Sequence, residues 1–102
     1  MTDPLFDLSG KIALVTGGSR GLGLEMARAF AERGADIVIA SRKLDACEEV
    51  AEEVRKLGRR ALAVSVNMSH WDQAERLVNT VYREWGRVDI LVNNAGMSPR
   101  IA

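Results

Sequence analysis

Short apolar runs alternate with longer helical patterns along the chain, and each change is marked by a glycine, a polar capping residue or both. That alternation limits the fold most, because strands separated by helices join one sheet as parallel neighbours through crossover connections. Residues 11–16 (KIALVT) form the first run, apolar and branched between Gly10 and Gly17, and read as a buried strand. A helix is predicted over 21–33, with Leu22, Met26, Ala29 and Phe30 on its apolar face and Gly34 as a left-handed stop. Residues 35–40 (ADIVIA) repeat the strand pattern, and 43–57 repeat the helix with Cys47, Val50, Ala51, Val54 and Leu57 on one stripe, ended by Gly58. Residues 60–66 are the third strand. Ser69 and Asp72 are spaced as a capping pair opening a third helix, whose stripe is Ala74, Leu77, Val78, Val81 and Trp85 and whose end is Gly86. Residues 88–92 (VDILV) are the fourth strand, and 93–102 supply turn residues.

Right-handed crossovers, with a reversal of direction after the third strand, place the strands in the order 3-2-1-4 in an α/β, three-layer αβα architecture. Residues 1–10 are a lead-in, and 11–102 are expected to form one partial domain, truncated after its fourth strand. The crevice at the reversal lies between strands 1 and 4. Residues 17–23 and 93–96 both follow the carboxyl ends of those strands, where open α/β sheets bind ligands.

Composition removes several function classes. The 102 residues carry 14 Lys plus Arg against 14 Asp plus Glu, so no charge excess is present to neutralise a phosphate backbone and no nucleic-acid partner is expected. No apolar run approaches membrane-spanning length, and the amino terminus, with Asp3 and Asp7, does not read as a signal peptide. One cysteine, Cys47, and one histidine, His70, cannot build an internal disulfide or a Cys/His metal cluster, so no metal site is expected. A cytoplasmic protein without a membrane partner is the expectation. Cys47 falls on an apolar helical stripe and reads as packing, and His70 as a surface residue at a helix start.

After the first strand the chain reads Thr16-Gly17-Gly18-Ser19-Arg20-Gly21-Leu22-Gly23, and a helix begins inside this turn. Glycines permit the tight turn and let backbone approach a pyrophosphate, and the helix N-terminus offers unpaired N–H groups. The spacing is not GxGxxG, since Met26 stands where the third glycine would fall, and no Gly-Lys-Ser/Thr of a Walker A loop follows. Taken with Asn93-Asn94-Ala95-Gly96 after the fourth strand, the Thr-Gly-x-x-x-Gly-x-Gly spacing resembles the short-chain dehydrogenase/reductase family, from about Leu8 to Met97. The resemblance implies a Rossmann-type fold holding a nicotinamide dinucleotide. It implies that Gly17, Gly21 and Gly23 shape the loop, that Leu22 meets the pyrophosphate through its backbone, and that Asn94, Ala95 and Gly96 border a ribose. Asn93 and Asn94 would brace the central strands.

Cofactor choice can be read further along. A fold preferring NAD places an acid about 20 residues past the glycines to accept from the ribose 2′-hydroxyl. Here that place reads Ala40-Ser41-Arg42, while Asp36 is at the other end of the strand and Asp45 is already on the next helix. Arg42 and Arg20 can both reach an added 2′-phosphate, with Ser41 as a further donor, so NADP (NADPH) is expected over NAD, and Ser19 is counted with the cofactor loops. Where the family usually carries an Asp that contacts the adenine amino group, this chain has Asn67-Met68; the Asn67 carbonyl oxygen can still accept that hydrogen bond, though without charge, and Met68 can pack beside the ring.

The family's Tyr-x-x-x-Lys pair is absent from these residues. The only tyrosine, Tyr82, is followed four residues on by Gly86, so no catalytic residue is assigned. The expectation is an NADP-dependent oxidoreductase acting on a small alcohol or carbonyl, represented by its cofactor-binding half and inactive alone. The alternatives are a non-catalytic nucleotide-binding or interaction module, or one half of an enzyme completed by a second chain. The apolar fourth strand, left as a sheet edge, suggests self-association through that edge.

Overall fold

Each apolar run becomes a strand and each helical pattern a helix. The computed structural model describes residues 7–17, 21–67 and 69–93. Its elements are β1 (Ile12–Thr16), α1 (Gly21–Glu32), β2 (Asp36–Ser41), α2 (Leu44–Lys56), β3 (Ala61–Ser65), α3 (Trp71–Trp85) and β4 (Ile90–Asn93). They form one sheet in the order β3-β2-β1-β4 with every pairing parallel. This is the expected topology, and its register puts Thr16 opposite both Ala40 and Asn93, so β1 ends level with β4 and one residue short of β2.

β1 is buried along its whole length, and β2 along all but its last residue, because helices cover both faces. Alternate residues serve opposite layers. Ala13, Val15, Ile37 and Ile39 pack under α1 and α2 with Ala27, Ala31, Cys47, Val50, Ala51 and Val54. Ile12, Leu14, Val38 and Ala40 face α3 through Leu77, Val81 and the partly buried Trp85.

The helices depart from the expected stripes in ways that packing explains. α1 buries Gly23, Ala27 and Ala31, with Leu24 and Phe30 partly covered, whereas Ala29 is exposed, Met26 is only partly buried and the Leu22 side chain lies outside the described residues. The inner line of small residues lets α1 lie close to β1 and β2, and bulk was the wrong guide to its inner face. α1 also ends at Glu32. Leu57 is 47% exposed because α2 closes at Lys56, and Val78 is 41% exposed beside the Leu77 and Val81 line that faces the sheet.

Ser69 does not cap α3. The N-cap is His70, which makes no side-chain capping bond. Ser69 instead donates its N–H and its hydroxyl to Asn67 Oδ1, at 3.0 and 2.6 Å, because Asn67 closes a local turn one step earlier. The carboxamide of Gln73 reaches back to the Asn67 N–H at 2.7 Å.

Charged groups tie the amino-terminal ends of the strands together. Asp36 accepts from the Arg60 N–H at 3.0 Å, the Arg60 Nε at 2.9 Å and Arg59 at 3.3 Å, and Arg60 lies over the Trp85 ring at 4.5 Å. Asp89 accepts from the Ile12 N–H at 2.8 Å and from Arg87 at 2.9 Å, and Arg87 also donates to the Gly10 carbonyl. These knots lie at the amino-terminal ends of the strands, opposite the glycine-rich turn.

Candidate functional site

The carboxyl ends of β1, β2 and β4 are joined by direct hydrogen bonds. Thr16, almost fully buried, donates its hydroxyl to Asn93 Oδ1 at 3.0 Å and approaches the Val92 carbonyl at 3.3 Å. Gly17, at φ +68, donates its N–H to the Ala40 carbonyl at 2.7 Å. The first residue of the turn is thereby tied to the end of β2, immediately before Ser41 and Arg42. Gly21 opens α1 at φ +64, and a Cβ built there meets no atom within 4 Å, so backbone faces open space. A side chain would be strained by that φ, and the space suits a ligand group brought against the start of a helix.

Two serines hold the end of β2. Ser41 Oγ accepts the Lys43 N–H at 3.2 Å and sits 3.0 Å from Cys47 Sγ. Ser65, in register opposite Ser41, directs its hydroxyl to the Arg42 carbonyl at 3.4 Å, and the Val66 N–H donates to the Ser41 carbonyl at 2.8 Å. The Arg42 backbone is therefore placed from two strands while its side chain is exposed. Arg28, Arg55, Arg59, Arg60 and Arg87 each meet a carboxylate between 2.7 and 3.3 Å. No carboxylate lies within salt-bridge distance of Arg42 among the described residues. Burial pushes the Cys47 thiol up, against the lowering effect of its Ser41 bond, so it is a protonated packing group beneath the site.

The structure thus brings Gly17, Ser41 and Arg42 together, sets Gly21 and Gly23 at the head of α1, and puts Asn67 one strand further out, past the end of β3. Ser19, Arg20, Met68, Asn94, Ala95 and Gly96 lie outside the described residues. Sequence reading did not single out Ser65 or Gln73. The signal for Ser65 was a polar residue ending an apolar strand, which gains meaning only once the register sets it against Ser41. Tyr82 is half-exposed on α3, and His70 is exposed at the helix start. Among the described residues no group of three His, Cys, Asp or Glu could hold a metal ion, and no helix is long and apolar enough to cross a membrane.

A parallel sheet ordered 3-2-1-4, with a glycine-rich turn leading from its central strand into a helix, defines an α/β domain of the Rossmann type. Comparison with known proteins takes this one step further. The profile of the short chain dehydrogenase family matches residues 11–102, and the chain belongs to that family. An uncharacterised oxidoreductase of Mycobacterium tuberculosis is 44% identical over 92 residues, which are 90% of this chain and 35% of the relative. L-sorbose reductase from Gluconobacter frateurii, solved with NADPH and L-sorbose, superposes with a TM-score of 0.86 at 39% identity, over 95% of this chain and 37% of that one. Pseudomonas aeruginosa RhlG, solved as an active-site complex with NADP, gives a TM-score of 0.87 at 41% identity, over 96% and 39%. The chain spans about a third of the length of the curated relatives it matches.

Proposed function

We propose that this chain is the cofactor-binding half of an NADP-dependent oxidoreductase that moves a hydride between nicotinamide and a small alcohol or carbonyl compound in the cytoplasm. The observation that carries the cofactor preference is Arg42, an exposed guanidinium with no carboxylate partner among the described residues, its backbone fixed at the end of β2. A dianion there gains charge-assisted hydrogen bonds, and no neighbouring acid stands where NAD-selective folds keep one. Complexes of the sorbose reductase with NADPH and of RhlG with NADP support the same choice.

When bound, the dinucleotide supplies the hydride-carrying C4 of its nicotinamide ring. This chain's residues do the holding. Gly17, Gly21 and Gly23 leave room for the pyrophosphate, with the Leu22 backbone and Ser19 at its side. Arg42 and Arg20 take the 2′-phosphate with Ser41 beside them, Asn67 and Met68 flank the adenine, and Asn94, Ala95 and Gly96 border a ribose. With no Tyr-x-x-x-Lys among the 102 residues, this half is inactive alone. Its outer strand β4, with Leu91 63% exposed, is the edge through which it self-associates.

Titrating NADPH and NADH against the chain tests the reading. NADPH is expected to bind more tightly, and Arg42→Ala to lower NADPH affinity by about tenfold to a hundredfold while leaving NADH nearly unchanged. Tighter binding of NADH would overturn the cofactor preference.

A further inference from the structure

We infer that Asn67 meets the purine of the bound dinucleotide as a hydrogen-bond donor, so that the chain does not select adenine by its 6-amino group and accepts a 6-oxopurine equally well. This rests on the proposed placement of the adenine beside Asn67. The orientation of the carboxamide follows from chemistry. Ser69 presents a backbone N–H, which can only donate, at 3.0 Å, so the atom facing it is the oxygen, Oδ1. The Ser69 hydroxyl donates to the same oxygen at 2.6 Å. A carboxamide oxygen has two lone pairs, and both are engaged.

What remains for a ligand is Nδ2, with two N–H donors and no partner among the described residues. The residue is held still as well, since its own N–H is taken by Gln73 Oε1 at 2.7 Å. Turning the carboxamide over would set Nδ2 against the Ser69 N–H, two donors facing each other, and would give up both bonds that Ser69 donates.

The edge of adenine offers a donating 6-amino group and accepting N1 and N7, whereas hypoxanthine carries an accepting oxygen at position 6. A free acceptor beside the base would favour adenine and face the hypoxanthine oxygen with like polarity. A free donor pairs with a ring nitrogen of adenine or with the 6-oxygen of hypoxanthine. Asn67 is therefore a specificity-determining residue that relaxes the choice of base.

The test compares NADPH with its hypoxanthine analogue, deamino-NADPH, binding to the chain, followed by calorimetry. The two dissociation constants are expected to agree within about threefold. Asn67→Asp is nearly isosteric, keeps one oxygen for Ser69 and replaces the donor by a second acceptor. It is expected to shift the ratio toward adenine by about tenfold or more. A wild-type preference of about tenfold for NADPH, or an Asp variant with an unchanged ratio, overturns the inference while leaving the proposed function standing. Failure of both cofactors to bind would overturn the proposed function itself, and this inference with it. Should the variant not fold, the wild-type ratio decides alone.

Discussion

Asp36 shows how much one residue can contribute far from the glycine-rich turn. It is 6% exposed, and burial alone would raise its pKa. The Arg60 amide and guanidinium, with Arg59 beside them, overcome that and hold it below the ordinary carboxylate value. A depressed folded-state pKa means that its stabilisation is fully present above the ordinary Asp range, and is lost as the pH falls below about 4 toward the folded-state value. Asp36→Asn is therefore expected to lower stability by about 1–3 kcal/mol at pH 7, a gap that narrows on acidification. Urea unfolding at pH 7 and at pH 3 reads this directly. A gap of constant size would show that the carboxylate charge is not what matters. The aspartate's place at the amino-terminal end of its strand was legible in the sequence, because a strand has two ends and the glycine-rich turn marks one of them. Its partners were not legible, since Arg59 and Arg60 reach it only through the β2–β3 pairing.

Among the elements, α1 separates what periodicity can tell from what it cannot. The helix and its glycine stop were readable from spacing, as were the four strands and their order, because punctuation and alternation are local signals. Which side of α1 faces inward was not. Large apolar residues at Met26 and Phe30 outweighed the line of Gly23, Ala27 and Ala31, although contact with a flat sheet selects small side chains. Ala27 is fully buried, so Ala27→Leu overpacks the interface and is expected to lower stability by about 1–3 kcal/mol. Ala29→Leu, on the exposed side, is expected to stay within about 0.5 kcal/mol of wild type. Thermal midpoints of the two variants decide the matter, and equal losses would contradict the observed face. The candidate site divides in a similar way: its glycines, Ser41 and Arg42 could be found from motif and position. Ser65 and the Asn67–Ser69–Gln73 turn needed register and side-chain direction, which no one-dimensional pattern carries.

At the scale of the whole molecule, the two faces of the sheet are unequally covered. α1 and α2 share one, while the other is packed by α3, and Leu91, alternating with Ile90 and Val92, turns toward that second face. With β4 at the rim of the sheet, the proposed self-association predicts a weight-average mass that rises with concentration in sedimentation equilibrium. Leu91→Lys is expected to hold the chain as a monomer, because a charge on an edge strand opposes pairing with another chain. A wild-type chain that stays monomeric at high concentration would rule this out.

The serine clamp at the end of β2 carries an evolutionary implication. Ser65 grips position 42 by its carbonyl, an atom every amino acid provides, and the side chain there is exposed and makes no described bond. Folding consequently exerts almost no selection on which residue occupies that position. Under the role proposed for Arg42, a lineage, or an engineer, can weaken the proposed 2′-phosphate preference by a substitution at this position while the sheet beneath it stays untouched, so that the proposed cofactor choice is set apart from the residues that fold the domain.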